Sequence, residues 1–147
     1  MIRAVVDTVV FVRGTLSSKG KSAFVIQAFK RRKFLLLTSR RHLEEIFHTL
    51  GYPRLRRRFK LPDSIRKKVV GKISAGGLLL SPSGSLKICR DPNDNYLIEL
   101  ALLGKADYLV TEDKDFHDDQ AIVQFLDIHR IKLVTVSEFT QVLRSLE

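Results

Sequence analysis

RDPNDNYLIELALLGKADYLVTEDKDF, residues 90–116, is the stretch whose reading decides the fold. Asp91-Pro92-Asn93-Asp94-Asn95 is a cap-and-turn cluster, the kind of sequence that starts a helix. Leu97, Ile98, Ala101 and Leu102 follow at helical spacing, and Gly104 ends the run. Tyr108-Leu109-Val110-Thr111 is then a short apolar segment with no alternation, as expected of a strand buried on both faces. A polar, acidic turn, Glu112-Asp113-Lys114-Asp115, closes the stretch. A capped helix delivering the chain into a doubly buried strand is the repeating unit of a parallel α/β sheet.

The rest of the chain extends this alternation in both directions. Toward the N-terminus, Ile2–Val6 is a β-branched strand ended by Asp7, and Val9–Val12 continues apolar, blurring where that strand stops. Gly14–Gly20 is rich in Ser and Gly and reads as a loop. Residues 22–31 carry Phe24, Val25, Ala28 and Phe29 on a helical face. Phe34–Thr38 is a second buried strand. Ser39 caps a helix with Leu43, Ile46, Phe47 and Leu50 as its apolar stripe, closed by Gly51. Residues 54–60 form a basic connector. A helix capped by Asp63 or Ser64 runs to Gly76-Gly77, followed by a short strand at Leu78–Leu80 and a loop over 81–85. Toward the C-terminus, a short helix near Ala121–Leu126 leads to a strand at Ile131–Val136 and a terminal helix capped by Ser137. Strands alternating with helices imply one domain over residues 1–147, with a central parallel sheet and helices on both faces.

Length and composition narrow the class. The 147 residues, 44% of them hydrophobic, suffice for one globular core. No apolar stretch approaches the length of a membrane span, and Met1–Asp7 reads as a strand rather than a signal peptide. Cys89 is the only cysteine, so no internal disulfide and no thiolate zinc cage is available, and a reduced cytoplasmic setting is expected. The formal charge is +10, unevenly distributed: residues 1–90 hold 21 Lys and Arg against 4 Asp and Glu, and residues 91–147 hold 5 against 12. The first part therefore offers a basic face for a polyanion, unless these charges are simply solvated helix surfaces.

Against that basic background, four acids stand out: Asp7, Glu45, Asp94 and Asp113. In an open α/β sheet, sites form beyond the carboxyl ends of the strands. Asp7 ends the first strand, and Asp113 lies just past Tyr108–Thr111. Asp94 sits in the first turn of a crossover helix, which starts at that same edge. Glu45 reaches the edge if its helix leans over it. Clustered carboxylates repel one another and raise each other's pKa, and a divalent cation relieves this. An all-oxygen donor set suits Mg²⁺ or Mn²⁺. Each acid also has a plain structural reading, as strand end, helix cap, surface residue or turn former.

The same residues resemble the PIN-domain family over nearly the whole chain. Arg90–Asn95, Leu97–Ala101 and Ala106–Phe116 are similar to the second half of VapC-like toxin components of bacterial and archaeal toxin–antitoxin systems. Ser39 with Leu43-Glu44-Glu45-Ile46 resembles the family's second acidic motif, in which Glu45 rather than Glu44 is the matching acid. Ile131–Phe139 resembles its closing strand and helix. The resemblance implies a three-layer α/β/α fold and an endoribonuclease dependent on Mg²⁺ or Mn²⁺. Its acidic site would be Asp7, Glu45, Asp94 and Asp113, with Asp115 as a fifth or substitute acid and Thr8 and Thr111 in support. It also implies a homodimer and a small antitoxin protein as partner. The family usually opens with Asp-Thr-Asn, whereas this chain has Asp7-Thr8-Val9. Val9 has no hydrogen-bonding side chain, so a weakened nuclease, or a module that binds RNA or regulates without cleaving, is the alternative.

Arg54, Arg56, Arg57, Arg58 and Lys60, interleaved with Phe59, suit phosphate contact and base stacking on single-stranded RNA, and equally a solvated connector or a site for an acidic antitoxin segment. No histidine pair has metal-motif spacing, and there is no P-loop or Gly-rich dinucleotide turn. A receiver-like phosphoacceptor domain also gathers acids at strand ends. It requires an acid pair after the first strand, where this chain has a single Asp7.

Overall fold

The computed structural model describes all 147 residues. Five strands, β1 (Arg3–Val6), β2 (Leu35–Ser39), β3 (Leu78–Leu80), β4 (Tyr108–Val110) and β5 (Lys132–Val134), form one sheet in the order β3-β2-β1-β4-β5. Every neighbouring pair is parallel. Nine helices accompany them: α1 (Thr8–Leu16), α2 (Lys21–Lys30), α3 (Arg40–Leu50), α4 (Pro53–Phe59), α5 (Asp63–Gly76), α6 (Asn95–Leu103), α7 (Lys114–His117), α8 (Gln120–Ile128) and α9 (Val136–Ser145).

The apolar strands are buried on both faces, and their two-residue alternation divides the core in two. Ala4 and Val6 of β1, Leu36 of β2 and Val110 of β4 face a larger cluster filled by Val10 and Phe11 of α1, Val25 and Phe29 of α2, Ile46 of α3, Ile73 of α5 and Phe139 of α9. Val5, Leu37 and Leu109, one residue out of phase, face a smaller cluster built from α6 (Leu97, Ile98, Leu100), Phe116 of α7 and Ile122 of α8. Helices thus cover both faces of an all-parallel sheet, and the architecture is a three-layer α/β/α fold.

Several boundaries differ from the sequence reading. Val9–Val12 is not extended but part of α1, because Phe11 packs edge-on against Phe29 of α2 at 6.1 Å and burial there outweighs the β-preference of valine. The basic connector at 54–60 is the helix α4, with Pro53 in its first turn, where a missing N–H costs nothing. Leu55 and Phe59 of α4 pack on the larger core, and Arg58 lies over the Phe59 ring at 5.2 Å, so this aromatic is not free to stack on bases. A four-residue helix, α7, occupies the acidic turn. The last helix is capped by Thr135, not Ser137. Thr135 and Glu138 form a reciprocal capping box, which also ends β5 at Val134.

Candidate active site

The strand order fixes where a site belongs. From β1 the chain steps outward to β2 and β3, then returns to the other side of β1 for β4 and β5. The crossovers therefore diverge between β1 and β4, opening a crevice at the carboxyl ends of these two strands. Asp7 stands at that point, its N–H donating to the Val110 carbonyl at 2.9 Å. Across the crevice, buried Thr111 donates from Oγ1 to Asp7 Oδ2 at 2.7 Å and accepts from the Asp113 N–H at 3.0 Å. One threonine thus ties the acid after β1 to the turn after β4.

The other acids arrive on helices. Asp94 immediately precedes α6, at the end of a single 3₁₀ turn, Pro92–Asp94. Glu45 lies in the second turn of α3, and its Oε2 accepts a 2.6 Å hydrogen bond from Tyr96 Oη on α6. Tyr96 Oη also lies 3.5 Å from Thr8 Oγ1, so Thr8, Tyr96 and Glu45 link α1, α6 and α3 across the site. Glu44, which lines the same cleft as Glu45, is paired with Arg40 at 3.1 Å, whereas Glu45 is held by Tyr96. Asp115 stands exposed on α7, its N–H donating to Asp113 Oδ1 at 2.9 Å.

Asp94 sits in helical backbone where the 3₁₀ turn runs into α6, and Asp91 caps that turn; Asp7 holds the N-cap position of α1, yet its side chain does not cap it. A carboxylate there ordinarily accepts a backbone N–H, and replacing such a cap costs about 1 kcal/mol. The neighbouring acids behave normally: Asp91 accepts from Asn93, Asp113 from Asp115, and Asp119 from Ala121 and Ile122. Asp7 and Asp94 are both electrostatically stressed. Burial raises Asp7, opposed by the Thr111 hydrogen bond and reinforced by the charges of Glu45 and Asp113. Burial pushes Asp94 up to about 6, with Asp91, Asp113, Asp7 and Glu45 adding to the shift. Asp7, Glu45, Asp94 and Asp113 therefore lie within electrostatic reach of one another.

The donor chemistry fits a hard divalent cation: oxygen ligands only, with mutual repulsion that a dication would relieve. The ligating geometry is not preformed, because no three His, Cys, Asp or Glu side chains converge into a group that would hold a metal ion. Asp7 is engaged by Thr111, Glu45 by Tyr96, and Asp113 by its own helix.

Tyr96 and His42 are the site-supporting residues that the sequence did not single out. Tyr96 interrupts an aliphatic helix, and a buried phenol needs a partner; that is the available signal. His42, fully buried on α3, packs against Phe11 and Tyr96, with ring centroids 5.9 and 6.1 Å away. Burial lowers its pKa to about 4, so it is neutral, with Nδ1 3.3 Å from Thr38 Oγ1 and Nε2 without a hydrogen-bond partner. Burial and nearby aspartates push the Cys89 thiol up to about 12, the opposite of the lowered pKa that marks a reactive cysteine.

Arg54, Arg56, Arg57, Arg58 and Lys60 are all exposed on or just after α4, and none is in an ion pair. Arg66, from the next basic cluster, is structural instead. It is buried, donates twice to the Phe47 carbonyl (3.2 and 2.8 Å) and pairs with Asp63 at 2.8 Å.

An all-parallel sheet covered on both faces, with carboxylates gathered where its crossovers diverge, defines the class: an α/β/α protein with an acidic site at the carboxyl edge of its sheet. A PIN domain model matches residues 3–115, and the chain belongs to the PIN-domain family, whose members are generally nucleases that use divalent metal ions. It is also similar to the uncharacterized protein MJ1680 of Methanocaldococcus jannaschii. The two are 28% identical over 143 residues, covering 95% of this chain and 90% of the relative. No helix is long and apolar enough to cross a membrane.

Proposed function

We propose that the protein is a Mg²⁺- or Mn²⁺-dependent endoribonuclease acting on single-stranded RNA, with Asp7, Glu45, Asp94 and Asp113 as its acidic site. The observation that carries this reading is the pair of electrostatically destabilised carboxyls, Asp7 and Asp94, flanked by Glu45 and Asp113. These four carboxylates would hold the dication, which would supply Lewis acidity and a water of lowered pKa. The chain's own part is positional: Thr111 orients Asp7, and Tyr96 orients Glu45. Arg54, Arg56, Arg57, Arg58 and Lys60 attract the RNA backbone. Asp115 serves as a reserve acid at the edge of the site. Cleavage of single-stranded RNA is expected with Mn²⁺ and is expected to cease in EDTA; cleavage that survives EDTA would sink the metal requirement.

The wider role in this reading is that of a toxin component, a single domain over 1–147 acting in the cytoplasm. An acidic, partly apolar segment of a small antitoxin is the partner. A groove of about 500 Å³ between α1, α2 and α5 supports this: its floor includes Phe11, Ile26 and Ile73, and its charged lining residues, Lys30, Arg32, Lys68 and Lys72, are all cationic. Exposed Leu78 and Leu79 on the edge strand β3 support a homodimer.

Val9 favours a second reading, an attenuated nuclease that binds RNA or regulates without efficient cleavage. Val9 is 47% exposed, two residues from Asp7, so an amide side chain there keeps access to solvent. Val9→Asn is expected to leave the melting temperature within about 2 °C, as for a surface change. If the new amide hydrogen-bonds the acidic loop, cleavage rises from a few-fold to about a hundred-fold, the span of one hydrogen bond near charge. Equal rates in both proteins would show that Val9 does not limit the reaction.

A further inference from the structure

Arg41 is a cation beside the acidic site that neutralises none of its acids. It lies on α3, one turn before Glu45, and is exposed. Its guanidinium sits over the Tyr96 ring, 4.8 Å from the centroid, and Nη2 donates to Asn93 Oδ1 at 3.3 Å. Tyr96 holds Glu45, and Asn93 adjoins Asp94, so both anchors of Arg41 belong to the elements that present these acids. Yet Arg41 makes no ion pair with any carboxylate; the chain's two ion pairs are Arg40–Glu44 and Arg66–Asp63. Its neighbour Arg40 has the same charge but is engaged by Glu44.

Arg41 and Arg40 both lie where two surface clefts meet, and what distinguishes Arg41 there is that no carboxylate engages it. One, of about 640 Å³, contains Glu45 along with Phe47 and His48. The other, of about 210 Å³, runs over Tyr96 to Leu80 and Pro82. A chain passing from one cleft to the other crosses Arg41. A guanidinium whose face is stacked on a ring directs its N–H groups outward in the plane, and beyond the Nη2 bond to Asn93 those of Arg41 remain for the fork geometry that matches two phosphate oxygens.

We propose that Arg41 grips a backbone phosphate of the RNA where the strand crosses between these clefts beside the acids. This rests on the nuclease reading for its substrate, but binding tests it separately. The probe is a fluorescent single-stranded RNA oligonucleotide, with anisotropy measured in EDTA over a salt series and cleavage measured with Mn²⁺. Arg41→Ala and Arg41→Gln are expected to weaken binding about tenfold and to flatten the plot of log K against log salt by about 0.7, the contribution of one phosphate. Cleavage, as kcat/KM, falls at least as far. Arg41→Lys, which keeps the charge but not the fork, is expected to recover part of the loss, while Arg40→Ala stays within about twofold. Melting temperatures identify any variant that fails to fold, and a purely structural Arg41 would leave the salt slope unmoved. Wild-type affinity and slope in both the Arg41→Ala and Arg41→Gln proteins would overturn the proposal, as would equal losses from Arg40→Ala and Arg41→Ala. If the wild-type protein binds RNA without cutting it, the nuclease reading fails, and the binding series alone decides the role of Arg41.

Discussion

Asp94→Asn is expected to abolish RNA cleavage and, at neutral pH, to melt higher than the parent. In the proposed reading, the first effect follows from removing one charge from the carboxylate set that would hold the dication. The second follows from the raised pKa of about 6. An unfolded Asp titrates near 3.9, so between about pH 4 and 6 the folded state binds more protons than the unfolded state. Stability therefore falls as pH rises through that window, and the penalty is complete above it. The amide carries no such penalty. Asp94 is partly exposed, so the shift is discounted for solvent screening to about 1 kcal/mol, or about 2–4 °C. The gain should vanish near pH 4. Thermal melts from pH 4 to 8, with and without Mn²⁺, check this, because the metal should raise the parent's melting temperature more than the variant's. Cleavage by the variant at the parental rate would remove Asp94 from the site.

Replacing Arg56, Arg57 and Arg58 together with Gln is expected to lower affinity for single-stranded RNA about a hundredfold at 0.1 M salt, whatever the sequence. Each lost phosphate contact on a single strand removes about 0.7 from the slope of log K against log salt, so three remove about 2. All three side chains are exposed and free of ion pairs, so the fold should be unaffected. Saturating RNA should restore most of the cleavage rate, because these residues contribute binding rather than chemistry. An unchanged salt slope would mean that the RNA takes another path across the protein.

How far the sequence foretold this arrangement depended on the physics at each position. Continuous apolar runs such as Phe34–Thr38 and Tyr108–Thr111 were legible as central strands, because burial on both faces leaves no other composition. Val9–Val12 was not, since its β-branched residues say strand and only the Phe11–Phe29 contact makes it helix. Two boundary signals were present and passed over: Pro53 at the start of α4, and Thr135 with Glu138 three residues later. The placement of acids at the carboxyl edge followed from the alternation of strands and helices. The links among them did not. Nothing local in the sequence tells Tyr96 to meet Glu45, 51 positions away, or Thr111 to meet Asp7 across 104.

The place of β1 between β2 and β4 also imposes an order in time. The chain emerges from the ribosome with its basic stretch first: residues 1–90 hold 21 of the 26 Lys and Arg. β2 and β3 can already pair on one side of β1, while its other edge waits for residues 108–110. At about 5–20 residues per second, the step from residue 90 to Asp113 takes about 1–5 s. During that interval the nascent protein is a cationic fragment facing the most abundant RNA in the cell, the ribosome that is making it. In the proposed reading, it holds Asp7 and Glu45 at the start of that interval, gains Asp94 early in it, and lacks Asp113 until its end. It can adhere before it can cut, and the insertion of β4 is what arms it.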